Sequence, residues 1–276
     1  MLLKNHSGST ICTYLCNFQK YYEWCVENGI DRIYDQDSVR QYLIFRVRNG
    51  AKWQTMNNIY SAMRKLFREV LDIEWSYKKM KRPNKERALP ELISKQEVSR
   101  LIQACDLIKH RAIMITLYAS GLRSAELCGL RLDDVDSDRL QLYVRKGKGA
   151  KDRYVQIPFV LIEYLRLYYQ ECRPEVYLFN GRRKGQKMLS SSLRWPFIRV
   201  KKRLGLTKKI SPHTFRHCYA THHLESGTDL VYLQQNMGHK HLKTTAKYIH
   251  LCKQRYQHIH HPIADIMGDL WPKTTA

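Results

Sequence analysis

Apolar residues recur at helical spacing through the first part of the chain. Three stretches show this pattern, at residues 9–27, 36–48 and 54–70. The third is the most regular, because four of its apolar residues fall on one face of a helix. These four are Ile59, Met63, Leu66 and Val70. The pattern predicts a small domain made only of helices.

A break in the helical pattern separates this domain from the rest of the chain. Residues 77–93 hold two prolines and six basic residues. Such a run is commonly a solvated face, but between two domains of a basic protein it is also suited to follow a DNA backbone. We predict a helical domain at residues 1–82, a basic linker at 83–93 and a second domain at 94–276.

Helical spacing resumes in the second domain, which opens with a capping-box pattern at Ser94 and Glu97. Further helices are predicted at residues 107–119, 124–130, 159–172, 190–204 and 214–226. Residues 140–158 differ, because apolar and polar residues alternate there on both sides of a glycine-rich basic turn. That alternation is typical of a β-hairpin and is the only clear sheet signal. The prediction is a mainly α fold with a small antiparallel β-sheet.

The charge balance indicates a polyanionic partner. The chain of 276 residues carries 48 Lys and Arg against 25 Asp and Glu, a formal net charge of +23. Such an excess favours nucleic acid, with an anionic membrane surface as the competing interpretation. No apolar run approaches the roughly 20 residues that a membrane-spanning helix needs, and the N-terminus has no signal-peptide pattern. We therefore expect a cytoplasmic protein that does not bind membranes.

Cysteines and a histidine cluster are the candidates for metal chemistry. The eight cysteines are scattered without zinc-site spacing, so we expect them to be reduced and mostly buried. Cys12 and Cys16 are interpreted as two small hydrophobic residues on one helical face. His258, His260 and His261 could hold a metal, but nothing else in the sequence supplies convergent ligands. We expect no metal and no cofactor.

The residues from 211 to 250 hold a pattern that favours phosphate chemistry. His213 and Arg216 stand three apart, so a helix would present both on one face. Gly238 and His239 close a second helical segment, and Tyr248 follows nine positions later. A tyrosine hydroxyl with cationic neighbours is suited to attack a phosphodiester.

Four ordered motifs together resemble the tyrosine recombinase, or phage integrase, family. They are Gly121-Leu122-Arg123-Ser124-Ala125-Glu126-Leu127, the turn Gly147-Lys148-Gly149-Ala150-Lys151-Asp152-Arg153, His213-Thr214-Phe215-Arg216-His217, and Gly238-His239 with Tyr248. The resemblance covers about residues 94–250, and the first domain resembles the family's core-binding domain by position and helix content. It implies a two-domain clamp around double-stranded DNA.

The resemblance also implies strand cleavage and rejoining through a covalent 3′-phosphotyrosine, without metal or ATP. Tyr248 would be the nucleophile, and Arg123 and Arg216 would hold the phosphate. Guanidinium groups suit this task because they offer paired donors and keep their charge. The competing interpretation of Arg123 is a salt bridge to Glu126. Both can hold, since Glu126 could orient the arginine.

Three further residues complete the expected site. Lys148 would protonate the departing 5′ oxygen, although Lys146 and Lys151 lie in the same turn and leave the assignment open. His213 would accept the proton of the tyrosine, and His239 would donate a hydrogen bond to the phosphate. His217 also fits the family pattern but is interpreted as support for the site.

The C-terminal residues predict a short helix that could take part in assembly. Residues 263–271 carry apolar residues at the spacing of a short amphipathic helix. It could pack on its own domain, or dock into a neighbouring copy as such helices do in the family. The resemblance implies a tetramer on two DNA sites, acting in integration, excision or resolution. The alternatives are a type IB topoisomerase, which works as a monomer, and a DNA-binding protein that has lost catalysis.

Overall fold

The computed structural model describes residues 8–76, 81–82, 91–145 and 152–252. The chain divides into two compact units, Met1–Leu89 and Pro90–Ala276. The predicted lysine Lys148, most of the predicted linker, the histidine cluster at 258–261 and the predicted terminal helix all lie outside the described residues.

The described part of the first unit holds three helices, α1 (Gly8–Glu27), α2 (Gln36–Arg48) and α3 (Trp53–Glu69). Their bounds agree closely with the predicted ones. The core that they enclose is rich in aromatic residues. Its members are Tyr21, Trp24, Cys25, Val39, Tyr42, Ile59, Tyr60, Met63, Phe67 and Trp75.

One of the four residues predicted to line α3 does not reach this core. Ile59 and Met63 are buried and Leu66 packs against the core. Val70 is 66% exposed, and it is the capping residue after the helix ends at Glu69. The expectation for Val70 was wrong, because the helical face on which it was counted stops one residue earlier.

The second unit begins with α4 (Lys95–Gln103), and its predicted capping box is present. The Ser94 hydroxyl accepts a hydrogen bond from the Glu97 N–H at 3.1 Å, and the Glu97 carboxylate accepts one from the Ser94 N–H at 2.8 Å. Helices α5 (Ile108–Ser120) and α6 (Ser124–Gly129) follow. Because α5 is apolar over most of its length, it runs through the core and packs against three later helices.

The sheet comprises β1 (Val135–Asp136), β2 (Gln141–Val144) and β3 (Arg153–Gln156), and all its pairs are antiparallel. The last two strands form the predicted hairpin, with Val144 opposite Arg153. The mainly helical fold with a small antiparallel sheet is therefore confirmed. Strand β1 was not predicted, because two residues are too few to show an alternation.

The remaining helices build the face that carries the candidate chemistry. They are α7 (Phe159–Cys172), α8 (Arg194–Arg203), α9 (Pro212–Glu225), α10 (Leu230–Met237) and α11 (Leu242–Ala246), followed by a 3₁₀ turn at Ile249–Leu251. Helix α9 packs against α5, and α10 contacts β3. Together with the hydrogen bond from Arg216 to Gly121, these contacts bring α9 and α10 to the segment around residue 121.

The expectation that the cysteines are mostly buried was only half right. All eight are free, and Cys25, Cys105, Cys128 and Cys218 are buried. Cys12 and Cys16 are exposed. They share a face of α1, but it is not the face turned to the core.

The described residues show neither a membrane-spanning helix nor a metal-binding cluster. No helix within residues 8–76, 91–145 and 152–252 is long and apolar enough to cross a membrane. Over the same ranges, no group of three or more His, Cys, Asp or Glu side chains is arranged to hold a metal ion.

Candidate active site

Arg216 lies at the centre of the site, on α9. Ser211 caps this helix and Pro212 occupies its first position, which suits a residue with a fixed φ and no N–H. The side chain of Arg216 is almost wholly buried, and its guanidinium donates hydrogen bonds to the carbonyl oxygens of Gly121 and Met237. Burial lowers the pKa of Arg216 to about 10, so that it stays charged at neutral pH.

Gly121 makes the close approach of these segments possible. It ends α5 in the left-handed region at φ 60°, where glycine carries no steric cost. A Cβ at this position would stand 2.3 Å from the ring of Tyr219. The turn therefore requires glycine, and it aims the next segment, with Arg123, towards α9.

Arg123 is the residue that precedes α6, and its side chain is 25% exposed. Its backbone N–H donates to Glu126 at 2.8 Å, and its Nη1 donates to the same carboxylate at 2.7 Å. The expected ion pair is therefore present. Nη2 of Arg123 donates to the carbonyl oxygen of Gly238 at 2.9 Å, which links α6 to the end of α10.

Glu126 also binds an arginine that the sequence analysis did not single out. Nη1 and Nη2 of Arg153 each donate to one oxygen of the Glu126 carboxylate at 3.0 Å. Burial alone would raise the pKa of Glu126, but the hydrogen bonds and charges of Arg153 and Arg123 hold it at about 2. Since one carboxylate faces Arg123, Arg153 and, at 4.0 Å, Arg216, the site keeps a surplus of positive charge.

His239 follows Gly238, which ends α10 in the left-handed region at φ 62°. Its Nε2 lies 3.0 Å from Nη2 of Arg216, and its Nδ1 lies 2.8 Å from the hydroxyl of Thr245. Because a guanidinium only donates, Nε2 accepts this bond and Nδ1 carries the proton. Burial, then the charges of Arg216 and Arg123, lowers the pKa of His239 to about 4.

Tyr248 lies between α11 and the following 3₁₀ turn, and only 6% of it is exposed. Its hydroxyl lies 3.0 Å from Nδ1 of His217, and its ring stacks over that of His239 at 6.3 Å. Burial raises the pKa of Tyr248, while the charges of Arg216 and Arg123 act in the opposite direction.

His213 lies beside this pair rather than on the tyrosine hydroxyl. Its ring centre is 4.6 Å from that of His217, one helical turn further along α9. Burial, then the neighbouring charges of Arg216 and Arg123, lowers the pKa of His213. Burial, His213 and Arg216 lower the pKa of His217 to about 4.

The fold thus brings together five of the six predicted site residues. Arg123, Arg216, His239 and Tyr248 share one network of contacts with His217, and His213 stacks on its edge. The sixth, Lys148, lies outside the described residues.

Two residues with prominent contacts were missed or set aside by the sequence analysis. The spacing of four between His213 and His217 signals a shared helix face, so the contact of His217 was open to prediction. Arg153 has no such signal, because its partners lie 27 and 83 residues away.

Comparison with known proteins identifies the class of this chain. The phage integrase family model matches residues 91–255. The chain belongs to this family, the tyrosine recombinases, and is thus a site-specific recombinase, a DNA strand transferase.

Among its relatives is tyrosine recombinase XerA of Thermococcus kodakarensis, 36% identical over 252 residues that cover 89% of this chain and 86% of the relative. Tyrosine recombinase XerD of Pseudomonas putida is 32% identical over 279 residues, covering 94% and 92%.

Solved structures agree on the fold. XerH recombinase in a post-cleavage complex with its palindromic difH substrate aligns with a TM-score of 0.73 at 24% identity, covering 89% of this chain and 77% of XerH. A lambda integrase tetramer bound to a Holliday junction aligns with a TM-score of 0.73 at 17% identity, covering 95% and 77%.

Proposed function

We propose that this recombinase breaks DNA by attack of the Tyr248 hydroxyl on a scissile phosphodiester, and that the strand is held as a 3′-phosphotyrosine until it is rejoined. One observation carries the proposal: the hydroxyl of Tyr248 lies 3.0 Å from an imidazole nitrogen, in a site supplied with buried and half-buried arginines. An unperturbed phenol has a pKa of about 10, so it needs a proton acceptor and a neutralised phosphate to react at pH 7.

Strand cleavage by this route needs only the DNA and the side chains of the protein. The Tyr248 oxygen forms a bond to phosphorus as the bond from phosphorus to the 5′ oxygen breaks. The phenolic proton passes to a histidine, and a lysine of the basic turn, proposed to be Lys148, gives its proton to the 5′ oxygen. The reverse reaction of a 5′ hydroxyl restores the DNA backbone. Because the phosphotyrosine keeps the bond energy, rejoining needs no ATP.

Two histidines are candidates for the proton acceptor. The family pattern favours His213, whereas contact favours His217, whose Nδ1 faces the hydroxyl. When His217 carries its own proton on Nε2, Nδ1 is free to accept the proton of Tyr248. Geometry is the stronger criterion for a general base. We therefore propose that His217 accepts the proton of Tyr248 and that His213 supports the ring of His217.

Arg123 and Arg216 are proposed to bind the non-bridging oxygens of the phosphate. Donors placed at such oxygens stabilise the transition state by roughly 2.7 to 4 kcal/mol each in comparable sites. His239 is proposed as a further donor. Since its Nε2 now accepts from Arg216, His239 donates there only after Nε2 gains a proton, either by protonation of the ring or by a change of tautomer in which the Thr245 hydroxyl donates to Nδ1. An incoming phosphate anion favours this change, because it replaces the imidazole as the acceptor of the Arg216 hydrogen bond.

We propose that four copies act together on two DNA sites. The similar lambda integrase tetramer bound to a Holliday junction supports this assembly. We also propose that the protein acts in the cytoplasm. The terminal residues 263–271 would dock into a neighbouring copy. Ending the chain at residue 261 should leave cleavage of one site intact and weaken the pairing of two sites. Unchanged pairing in a gel-shift assay would contradict this role.

A nicked duplex tests the central proposal. When a nick lies near the target bond, the short cleaved end diffuses away and the covalent complex accumulates on a denaturing gel. Tyr248→Phe should abolish this complex and keep DNA binding. Tyr232→Phe is the matched control, since Tyr232 is exposed on the neighbouring helix α10. A covalent complex with Tyr248→Phe would disprove the assignment.

The two other function classes give different results in the same assay. A type IB topoisomerase would relax a supercoiled plasmid that lacks a specific site and would need no second site. A catalytically silent DNA-binding protein would shift the duplex without forming the covalent complex. A requirement for two matched sites, together with the complex, is the result we expect.

A further inference from the structure

Arg153 joins three separate segments of the catalytic unit. It is the first residue of β3, and its side chain is only 14% exposed. Its Nη1 and Nη2 bind the two oxygens of Glu126 on α6, and its Nε donates to the carbonyl oxygen of Asn236 on α10 at 3.1 Å. Every nitrogen of this guanidinium therefore holds a different atom of the surrounding framework.

The segments that Arg153 joins are those that carry the proposed phosphate ligands. Glu126 binds both the backbone N–H and the side chain of Arg123. Asn236 lies three residues before His239, and its side chain accepts a second hydrogen bond from β3, donated by the N–H of Gln156 at 3.0 Å. Arg153 thus contacts Glu126, which supports Arg123, and the end of α10, which precedes His239.

Gly238 shows how closely the guanidinium of Arg153 fits. A Cβ at Gly238 would stand 2.7 Å from Cζ of Arg153, so the guanidinium would have to leave its present place to admit one. The carbonyl oxygen of the same glycine accepts from Arg123 at 2.9 Å. The backbone before His239 is consequently held between two arginines, and only glycine leaves room for both.

From these contacts we infer that Arg153 is a positioning residue for strand cleavage, which acts through Glu126 and the backbone of residues 236–238 to hold Arg123 and His239 in their places. The inference rests on the proposed function. A planar fork with three donor directions is needed to reach both carboxylate oxygens and a carbonyl at once, which a lysine ammonium on a flexible stem does not reproduce. A positive charge at position 153 is therefore not enough to hold Arg123 and His239 in place.

Arg153→Lys tests this, since it keeps the charge and removes the fork. At saturating nicked duplex we expect the single-turnover cleavage rate to fall by about 100-fold, the usual cost of a displacement of about 1 Å in an active site. The dissociation constant for DNA should stay near that of the wild type. The midpoint of unfolding should fall, because the bonds to Glu126 and Asn236 are weakened, but the protein should remain folded under the conditions of the cleavage assay. Cleavage close to the wild-type rate, or a loss of binding and folding that matches the loss of cleavage, would overturn the inference.

Arg145→Lys is the matched control. Arg145 directly follows β2 in the same hairpin, and it pairs with Asp134 at 2.7 Å. The variant disturbs an arginine–carboxylate pair that does not involve Glu126. Its cleavage rate should stay near that of the wild type. A fall equal to that of Arg153→Lys would mean that any disturbance of the hairpin suffices, and would refute a specific role.

Two further measurements separate positioning from general stability. In a double-mutant cycle, Glu126→Gln combined with Arg153→Lys should lose clearly less than the product of the two single losses, because the two variants share the contact between Arg153 and Glu126; single losses that multiply in full would overturn the inference. A methylphosphonate at the scissile position lacks the charge that Arg123 would neutralise. It should shrink the Arg153→Lys defect several-fold, and an unchanged defect would count against action through Arg123.

These outcomes are distinct from failure of the proposed function. If the wild-type chain forms no covalent complex on the nicked duplex, the proposed function fails first. If the wild type forms it and Arg153→Lys forms it equally fast, only the positioning role of Arg153 is lost.

Discussion

The hydroxyl of Tyr248 lies 3.0 Å from Nδ1 of His217, the residue directly after Arg216 on α9. His213, one turn earlier, touches this pair only through the ring of His217. The buried phenol therefore meets an uncharged imidazole, whose pKa is lowered to about 4 by burial and by the neighbouring His213 and Arg216. An uncharged imidazole is the form that can accept a proton.

The two histidines should differ in their effect on cleavage. We expect His217→Ala to lower the single-turnover rate on a nicked duplex by about 100-fold or more, the usual contribution of a general base. His213→Ala should lower it less, because it removes only a neighbour of the acceptor. DNA binding should persist in both. The reverse order of the two rates would assign the proton to His213, as the family pattern implies.

Glu126 should make stability depend on pH at the acidic end. Its folded-state pKa of about 2 lies below the ordinary value of 4.5. A depressed carboxyl pKa stabilises the folded state fully above the unfolded value, and that stabilisation is lost as the pH falls through the folded value. The shift corresponds to about 3 kcal/mol. The free energy of unfolding in urea should therefore fall between pH 4.5 and 2.

Glu126→Gln isolates this contribution from the other titrating groups. Since the histidines titrate in both proteins, the difference in unfolding free energy between wild type and variant cancels them. This difference should be largest near neutral pH and shrink as the solution approaches pH 2. A difference that does not change with pH would show that the carboxylate charge contributes nothing to stability.

Structure that depends on near neighbours was readable from the sequence. The capping box of Ser94 and Glu97 closes within four residues, and the paired residues Val144 and Arg153 are only nine positions apart. Helix bounds in the first unit also follow from local spacing. In each case the interacting residues are close together in the sequence, so a local sequence pattern is enough to predict their contact.

Features set by packing between distant segments were not readable. Arg153 and Asn236 are 83 positions apart, and nothing near either residue announces their contact. Tyr232 shows a related limit: its apolar neighbours along the helix predict a buried side chain, and that prediction is wrong, since Tyr232 is exposed and such neighbours do not tell which face turns inward. Tyr248 follows a polar run yet is buried, because the burial comes from α9 and α10 rather than from its own segment.

The two proposed phosphate ligands should differ in their importance for folding. Arg216 is buried and satisfies the carbonyl oxygens of Gly121 and Met237, whereas Arg123 is partly exposed. Arg216→Ala leaves two buried acceptors without donors, at about 1 to 3 kcal/mol each. We expect it to lower both stability in urea and cleavage. Arg123→Ala should abolish cleavage with a smaller loss of stability and with DNA binding retained.

The contrast between the arginines is informative only if binding is measured separately. Binding to duplex DNA rests on many phosphate contacts and should weaken steeply with salt in every variant. If Arg123→Ala lost binding in proportion to cleavage, Arg123 would be a general DNA contact rather than a ligand of the scissile phosphate. If Arg216→Ala unfolded no more easily than wild type, the buried hydrogen bonds would not hold the site together.

The choice among the lysines of the basic turn is open to a chemical test. A DNA strand with sulfur in place of the 5′ bridging oxygen leaves as a thiolate, which needs no proton because a thiol is far more acidic than an alcohol. A variant that lacks only the general acid should therefore be slow on ordinary DNA, by about 100-fold or more, and fast on the sulfur substrate. We expect this behaviour from Lys148→Ala.

Lys146→Ala and Lys151→Ala supply the controls, since they remove the same charge from the same turn. Their loss on ordinary DNA should be smaller, and sulfur should change it little, because a contact to the DNA backbone matters equally for both substrates. Rescue of one of these two variants in place of Lys148→Ala would transfer the role of general acid to that lysine. Rescue of none of the three would mean that the 5′ oxygen takes its proton from outside the turn.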